Sequence, residues 1–224
     1  MNISQHIGRW FYWTTATWIT LFGGLLALIG ILLFLLDHDW AAIAVLTISF
    51  LTDWWDGCVA RHQQGERPEM TREEEADLTV WQRINYRGVT HLGRAVDPLV
   101  DKIRFLGLMW AVGLGVLDVG VMALLTILAV LLTLARPIKT YFRLEHGGAN
   151  RWGKYKVYAE VILMVVLVFG TRPLWGGANP LAKREVTAEL LNALSSLTAI
   201  LALASTFKHY ESTLTHFLFV RRTD

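Results

Sequence analysis

Residues 40–61 read WAAIAVLTISFLTDWWDGCVAR. A run of apolar residues long enough for a membrane helix ends in two aspartates, Asp53 and Asp56, and an arginine, Arg61. A second run carries the same feature: GRAVDPLVDK at 93–102 places Asp97 and Asp101 at the start of hydrophobic sequence. A charged side chain at membrane depth costs about 2.5–3.5 kcal/mol on insertion scales, so four carboxylates in such positions demand a partner. Converging carboxylates are the ligands that hard divalent cations prefer.

The rest of the chain supports a membrane reading. It is 54% hydrophobic over 224 residues, with mean hydropathy +0.39. A span needs about 20 predominantly apolar residues, and six segments qualify: 14–36, 40–60, 95–117, 119–142, 155–175 and 186–207. The expected fold class is therefore all-α. It is a polytopic membrane protein with six transmembrane helices, forming a single domain over 1–224. Open sheets are excluded because each spanning segment must satisfy its own backbone.

Charge distribution sets an orientation. Lys and Arg number eight from Arg61 to Arg104 and six from Arg136 to Lys156, while the turns near Asp37–Asp39 and Asp118 carry none. The positive-inside rule then puts 61–94, 143–154 and both termini in the cytoplasm. The active-site cleft is expected on that side, in the cell membrane. Net charge is only +2, which gives no case for nucleic acid. The single cysteine, Cys58, excludes an internal disulfide and reads as a helix-packing residue. Before the first span, Ile3, Ile7, Trp10 and Phe11 recur at helical spacing and predict an N-terminal interfacial helix along the bilayer.

Residues 62–92 are the one long polar stretch. Thr71 and Glu74 have capping-box spacing, and Leu78, Trp81 and Ile84 follow as a short apolar stripe. This predicts a surface helix over about 71–87. Its alternating charges read as a solvated face.

Within each acidic run the spacing is helical. Asp53 and Asp56 are i, i+3, and Asp97 and Asp101 are i, i+4, so each pair shares a helix face. Gly57, Ala60 and Arg61 continue the first face, and Gly93 lies one turn before Asp97. Two helices can thus offer two carboxylates and a glycine each to one cleft. Two bound metals there would offset the repulsion of four carboxylates and could clamp a pyrophosphate. A cation transporter could use the same buried acids, but such transporters carry internal repeats, and no repeat is present.

These residues resemble the signature of the CDP-alcohol phosphotransferases, D-x-x-D-G-x-x-A-R followed by G-x-x-x-D-x-x-x-D. Here it reads Asp53, Asp56, Gly57, Ala60, Arg61, then Gly93, Asp97, Asp101, with every fixed position filled. The resemblance implies a transferase that moves the phosphatidyl group of CDP-diacylglycerol to an alcohol and releases CMP. It implies Mg²⁺ or Mn²⁺, two ions, held by Asp53, Asp56, Asp97 and Asp101, with Asp101 as general base. It implies a CDP site built from Asp53, Gly57, Ala60, Arg61 and Gly93, and a homodimer in the lipid bilayer. Two departures stand out. Thirty-one residues separate Arg61 from Gly93, far more than the family usually has. Ala16 and Thr17 stand before Thr20, where members often carry Pro-Asn.

The acceptor is read from charge. Arg136, Lys139 and Arg143 end the fourth span at i, i+3, i+7, and Lys154 and Lys156 follow in WGKYKVY. One cationic face suits an acceptor that carries its own phosphate, although juxtamembrane Lys and Arg also serve as snorkelling anchors. The DPxxDK form at 97–102 and the GKxK at 153–156 resemble the phosphatidylglycerophosphate synthase branch, whose acceptor is sn-glycerol 3-phosphate. A phosphoinositol acceptor meets the same charge requirement.

Overall fold

The structure is a computed structural model, and it describes residues 14–66, 72–87, 90–141, 151–171 and 184–220. The predicted N-terminal interfacial helix and the Thr71–Glu74 capping box lie outside these residues. The described chain is helical throughout: α1 Ala16–Leu35, α2 Asp39–Glu66, α3 Arg72–Ala76, α4 Val80–Ile84, α5 His91–Gly113, α6 Val119–Tyr141, α7 Arg151–Thr171 and α8 Arg184–Val220. Each of the six predicted segments falls on a long helix. Among the described residues, three stretches are long and apolar enough to cross a membrane, Ala16–Leu35, Asp39–Gln63 and Ala188–Glu211, and Val119–Ala135 is a shorter apolar helix. The chain divides into two compact units, Met1–Gly107 and Leu108–Asp224.

In the first unit, Thr15 caps α1 by accepting the Trp18 N–H at 3.4 Å. The helix ends in a tight turn in which Asp37 takes φ 58°, a left-handed conformation that a short polar side chain tolerates. The short connection folds α2 back on α1. The buried face of α1 is made largely of small residues: Thr17, Thr20, Gly23, Gly24, Ala27 and Gly30. Such a face lets backbones approach closely where lipid removes the usual hydrophobic drive between helices. At Gly23 the approach is closest. A methyl group there would overlap Thr52 Oγ1 and lie 2.7 Å from Arg104 Nη2. Helix α5 joins the same core, with Val100 packed on Gly24 and Gly107 against Ile31. The outward faces carry Phe22, Leu25, Leu32, Ile48 and Trp54, all exposed, as lipid-facing residues are.

The polar stretch differs from its expected form. Instead of one helix over 71–87 there are two short ones, α3 and α4, broken at 77–79. The physical reason is a capping box at Thr79. The Thr79 hydroxyl accepts the Gln82 N–H while Gln82 Oε1 accepts the Thr79 N–H at 2.8 Å, so a new helix starts there. Arg83 holds the break by donating to the carbonyls of Leu78 at 2.9 Å and Ala76 at 3.4 Å. Nor is the charged face wholly solvated, because Glu75 is only 4% exposed.

In the second unit α6 and α7 pack on α8. Asp118 Oδ1 accepts the Val121 N–H at the start of α6, and the Asp118 N–H donates to Asn192 Oδ1. Trp110 donates to Thr126 at 3.1 Å, and Tyr210 donates to the Leu131 carbonyl at 2.8 Å.

Candidate active site

The four aspartates are arranged as two pairs, and the pairs run between helices rather than along them. Asp53 of α2 and Asp101 of α5 share Arg104. Its Nη1 lies 3.1 Å from Asp53 Oδ1 and 3.2 Å from Asp101 Oδ1. Asp56 of α2 and Asp97 of α5 share Thr20 of α1. Its Oγ1 lies 2.6 Å from Asp56 Oδ2 and 3.1 Å from Asp97 Oδ1. A hydroxyl has one proton to donate, so the shorter contact marks Asp56 as its acceptor.

Arg104 is buried to 1% exposure, which charge alone would forbid. It is stable there because its five N–H donors all have acceptors. Two serve the carboxylates. Nε donates to Ser49 Oγ at 3.0 Å, and Nη2 donates to the Ser49 carbonyl at 2.7 Å and to Thr52 Oγ1 at 3.4 Å. The Ser49 hydroxyl itself donates to the Gly23 carbonyl at 2.7 Å. The guanidinium also lies over the Phe50 ring, 5.6 Å from its centroid, a favourable cation–π distance. Asp53 and Asp101 are 49% and 56% exposed, whereas Asp56 is buried. The arrangement therefore has a fixed cation beneath it and carboxylate oxygens open above.

The expected nucleotide residues sit at the same end. Arg61 is exposed, donates to Cys58 Sγ at 3.4 Å, and lies over its own Gly57, where a methyl group would meet Nη1 at 3.4 Å. Ala60 is half-buried on the same helix. Gly93 donates its N–H to Thr90 Oγ1 and faces Thr17 of α1, whose Oγ1 is 3.0 Å from where a Cβ would stand. The expected acceptor residues are in the second unit. Arg136 and Lys139 are on α6, Lys154 is exposed on α7, and Arg143 lies outside the described residues. Lys156 is turned inward, buried, and paired with Glu160 at 2.9 Å.

The donor set of Asp53, Asp56, Asp97 and Asp101 suits a hard divalent cation, being all carboxylate oxygen. Among the described residues, no three His, Cys, Asp or Glu side chains are gathered closely enough to hold an ion as they stand. Arg104 and Thr20 are the two site residues whose roles spacing did not reveal. Arg104 stands i+3 from Asp101 and i+7 from Asp97, on the acidic face itself, and that register was the available signal.

The fold and site define a helical membrane protein with a carboxylate-lined centre at the meeting of three helices. A family model described as CDP-alcohol phosphatidyltransferase matches residues 13–66 and 85–207. That is well over half the chain, and the protein belongs to this family, whose chemistry is phosphatidyl transfer from a CDP-alcohol to another alcohol. The match covers all four aspartates, Thr20 and Arg104, and leaves out 67–84. No curated protein and no solved structure matches the chain significantly.

Proposed function

We propose that the protein transfers the phosphatidyl group of CDP-diacylglycerol to sn-glycerol 3-phosphate and releases CMP. The observation that carries this reading is the cross-helix pairing of Asp53 with Asp101 and Asp56 with Asp97, inside a chain of this family. In the reaction the acceptor hydroxyl oxygen bonds to the phosphorus that carries the diacylglycerol. The phosphoanhydride bond to CMP breaks, and the hydroxyl proton passes to Asp101. A base must stand within hydrogen-bond reach of that proton, and Asp101 is half exposed for the purpose. Arg104 fixes it by Oδ1.

Asp53, Asp56, Asp97 and Asp101 would hold Mg²⁺ or Mn²⁺. Such ions neutralise pyrophosphate charge and stabilise attacking and leaving oxygens when bound. Arg61 offers a planar fork for phosphate or nucleotide, and Gly57, Ala60 and Gly93 are assigned to the same CDP site. Arg136, Lys139, Arg143 and Lys154 are assigned to the acceptor's phosphate on charge alone. The same reading takes six spans, a cytoplasmic site in the cell membrane, and a homodimer.

The test is CMP release from CDP-diacylglycerol by detergent-solubilised protein with Mg²⁺ or Mn²⁺. Acceptors are glycerol 3-phosphate, inositol phosphate, inositol and serine. Release with glycerol 3-phosphate supports the assignment. Release only with inositol phosphate moves it to a phosphatidylinositol phosphate synthase-type acceptor. No CMP with any acceptor sinks the transfer reading.

A further inference from the structure

The described part of the segment that the family model leaves out, together with Asn85 just after it, is tied to the starts of α1 and α5. On one side it meets the start of α1. Thr15 Oγ1 donates to the Ile84 carbonyl at 2.6 Å, Trp18 Nε1 donates to Asn85 Oδ1 at 3.0 Å, and the Trp18 and Trp81 rings meet edge to face at 5.5 Å. On the other side it meets the start of α5, where the buried Glu75 accepts the Leu92 N–H at 3.1 Å through Oε1. That N–H is one of the donors a helix start leaves unsatisfied, and a carboxylate there also opposes the positive end of the helix dipole. Thr90 Oγ1 takes the next donor, from Gly93.

These attachments bracket the contact between Thr20 and Asp97. Thr20 is on α1, five residues beyond Thr15 and two beyond Trp18. Asp97 is on α5, little more than one turn beyond Leu92. We infer that residues 72–85 are a positioning element that holds the starts of α1 and α5 in register, so that Thr20 reaches Asp97, with Glu75 and Trp81 as its positioning residues. Neither residue needs to touch substrate. The inference concerns geometry, and only its consequence for rate rests on the transfer reading. It explains why an addition between the two acidic helices is compatible with an intact acidic quartet: the added residues brace the helices they separate.

The experiment is hydrogen–deuterium exchange of the full chain in detergent, run beside CMP release, on Glu75→Ala, Glu75→Gln and Trp81→Ala. Glu75→Ala should speed exchange over 91–98, beyond Leu92 itself, and lower kcat about tenfold with little change in KM for CDP-diacylglycerol, the scale of one lost charge-assisted hydrogen bond. Glu75→Gln keeps an acceptor oxygen without the charge and should restore most of both. Trp81→Ala should speed exchange over 15–21. Exchange changes confined to 72–87, or Glu75→Gln as damaging as Glu75→Ala, would overturn the inference. Absent CMP release from the unaltered protein overturns the transfer reading alone, and the exchange pattern still decides the positioning.

Discussion

Arg104 and Asp53 are 51 residues apart in the chain and meet at 3.1 Å. The same guanidinium nitrogen reaches Asp101 at 3.2 Å. A buried cation thus joins the two acidic motifs that sequence presents as separate. Arg104→Met should destabilise the protein by about 2–4 kcal/mol, below the full cost of breaking a buried pair because both carboxylates are half exposed. It should also lower turnover by about 10–100-fold. Arg104→Lys keeps the charge without the planar fork and should recover stability only in part. Thermal unfolding in detergent and CMP release measure the two effects. A fully active Arg104→Met would remove Arg104 from the site.

The Thr20 hydroxyl donates to Asp56 at 2.6 Å and stands 3.1 Å from Asp97 Oδ1, so it sits between the two carboxylates. Thr20→Val preserves shape and removes that oxygen, so a loss of about 1–3 kcal/mol is expected. Thr20→Ser retains the hydroxyl and should keep most of the rate. Equal rates for the Val and Ser variants would show that the hydroxyl has no part in turnover.

Gly23→Ala introduces a methyl where Thr52 Oγ1 and Arg104 Nη2 already stand. Both atoms belong to a saturated hydrogen-bond network and have little room to move. Overpacking of this kind costs about 1–3 kcal/mol. The expected readout is a lower melting temperature together with reduced CMP release, since the clash lands on the residue that holds Asp53 and Asp101.

Asp56→Asn and Asp101→Asn should each abolish turnover, with Asp101→Asn sparing most CDP-diacylglycerol binding. Chelation with EDTA should stop CMP release, and added Mg²⁺ or Mn²⁺ should restore it. A near-normal rate in Asp101→Asn would show that the proton leaves by another route.

Lys156 and Glu160 form a buried pair at 2.9 Å in the second unit. Glu160→Gln removes the counter-charge and should cost about 3–5 kcal/mol of stability. Chemical denaturation followed by Trp fluorescence tests this. The double change Lys156→Met with Glu160→Leu should recover much of the loss.

The helical class and the acidic quartet were legible because both are local in sequence. Apolar run length marks helices that suit a membrane, and i, i+3 or i, i+4 spacing marks a shared face. What joins the quartet was not legible, because Thr20–Asp97 and Arg104–Asp53 are long-range contacts set by how α1, α2 and α5 pack. Lys156 read as part of a cationic face. Its inward turn follows from Glu160 at i+4, which supplies the counter-charge. In the polar stretch a single helix was expected because Leu78, Trp81 and Ile84 keep helical period. The Thr79–Gln82 reciprocal cap overrode that period, since it satisfies backbone donors at once.

The saturated shell around Arg104 also bears on how this part of the molecule forms. Burying a guanidinium by itself costs several kcal/mol, and four of its five acceptor atoms cannot be supplied by α5, because Ser49, Thr52 and Asp53 all belong to α2. Helix α5 can therefore match Arg104 only when α2 is in place beside it. The guanidinium makes the two acidic helices a single cooperative unit, which assembles together or stays open together, and a partly docked state with Arg104 desolvated and unmatched is kept out of the ensemble.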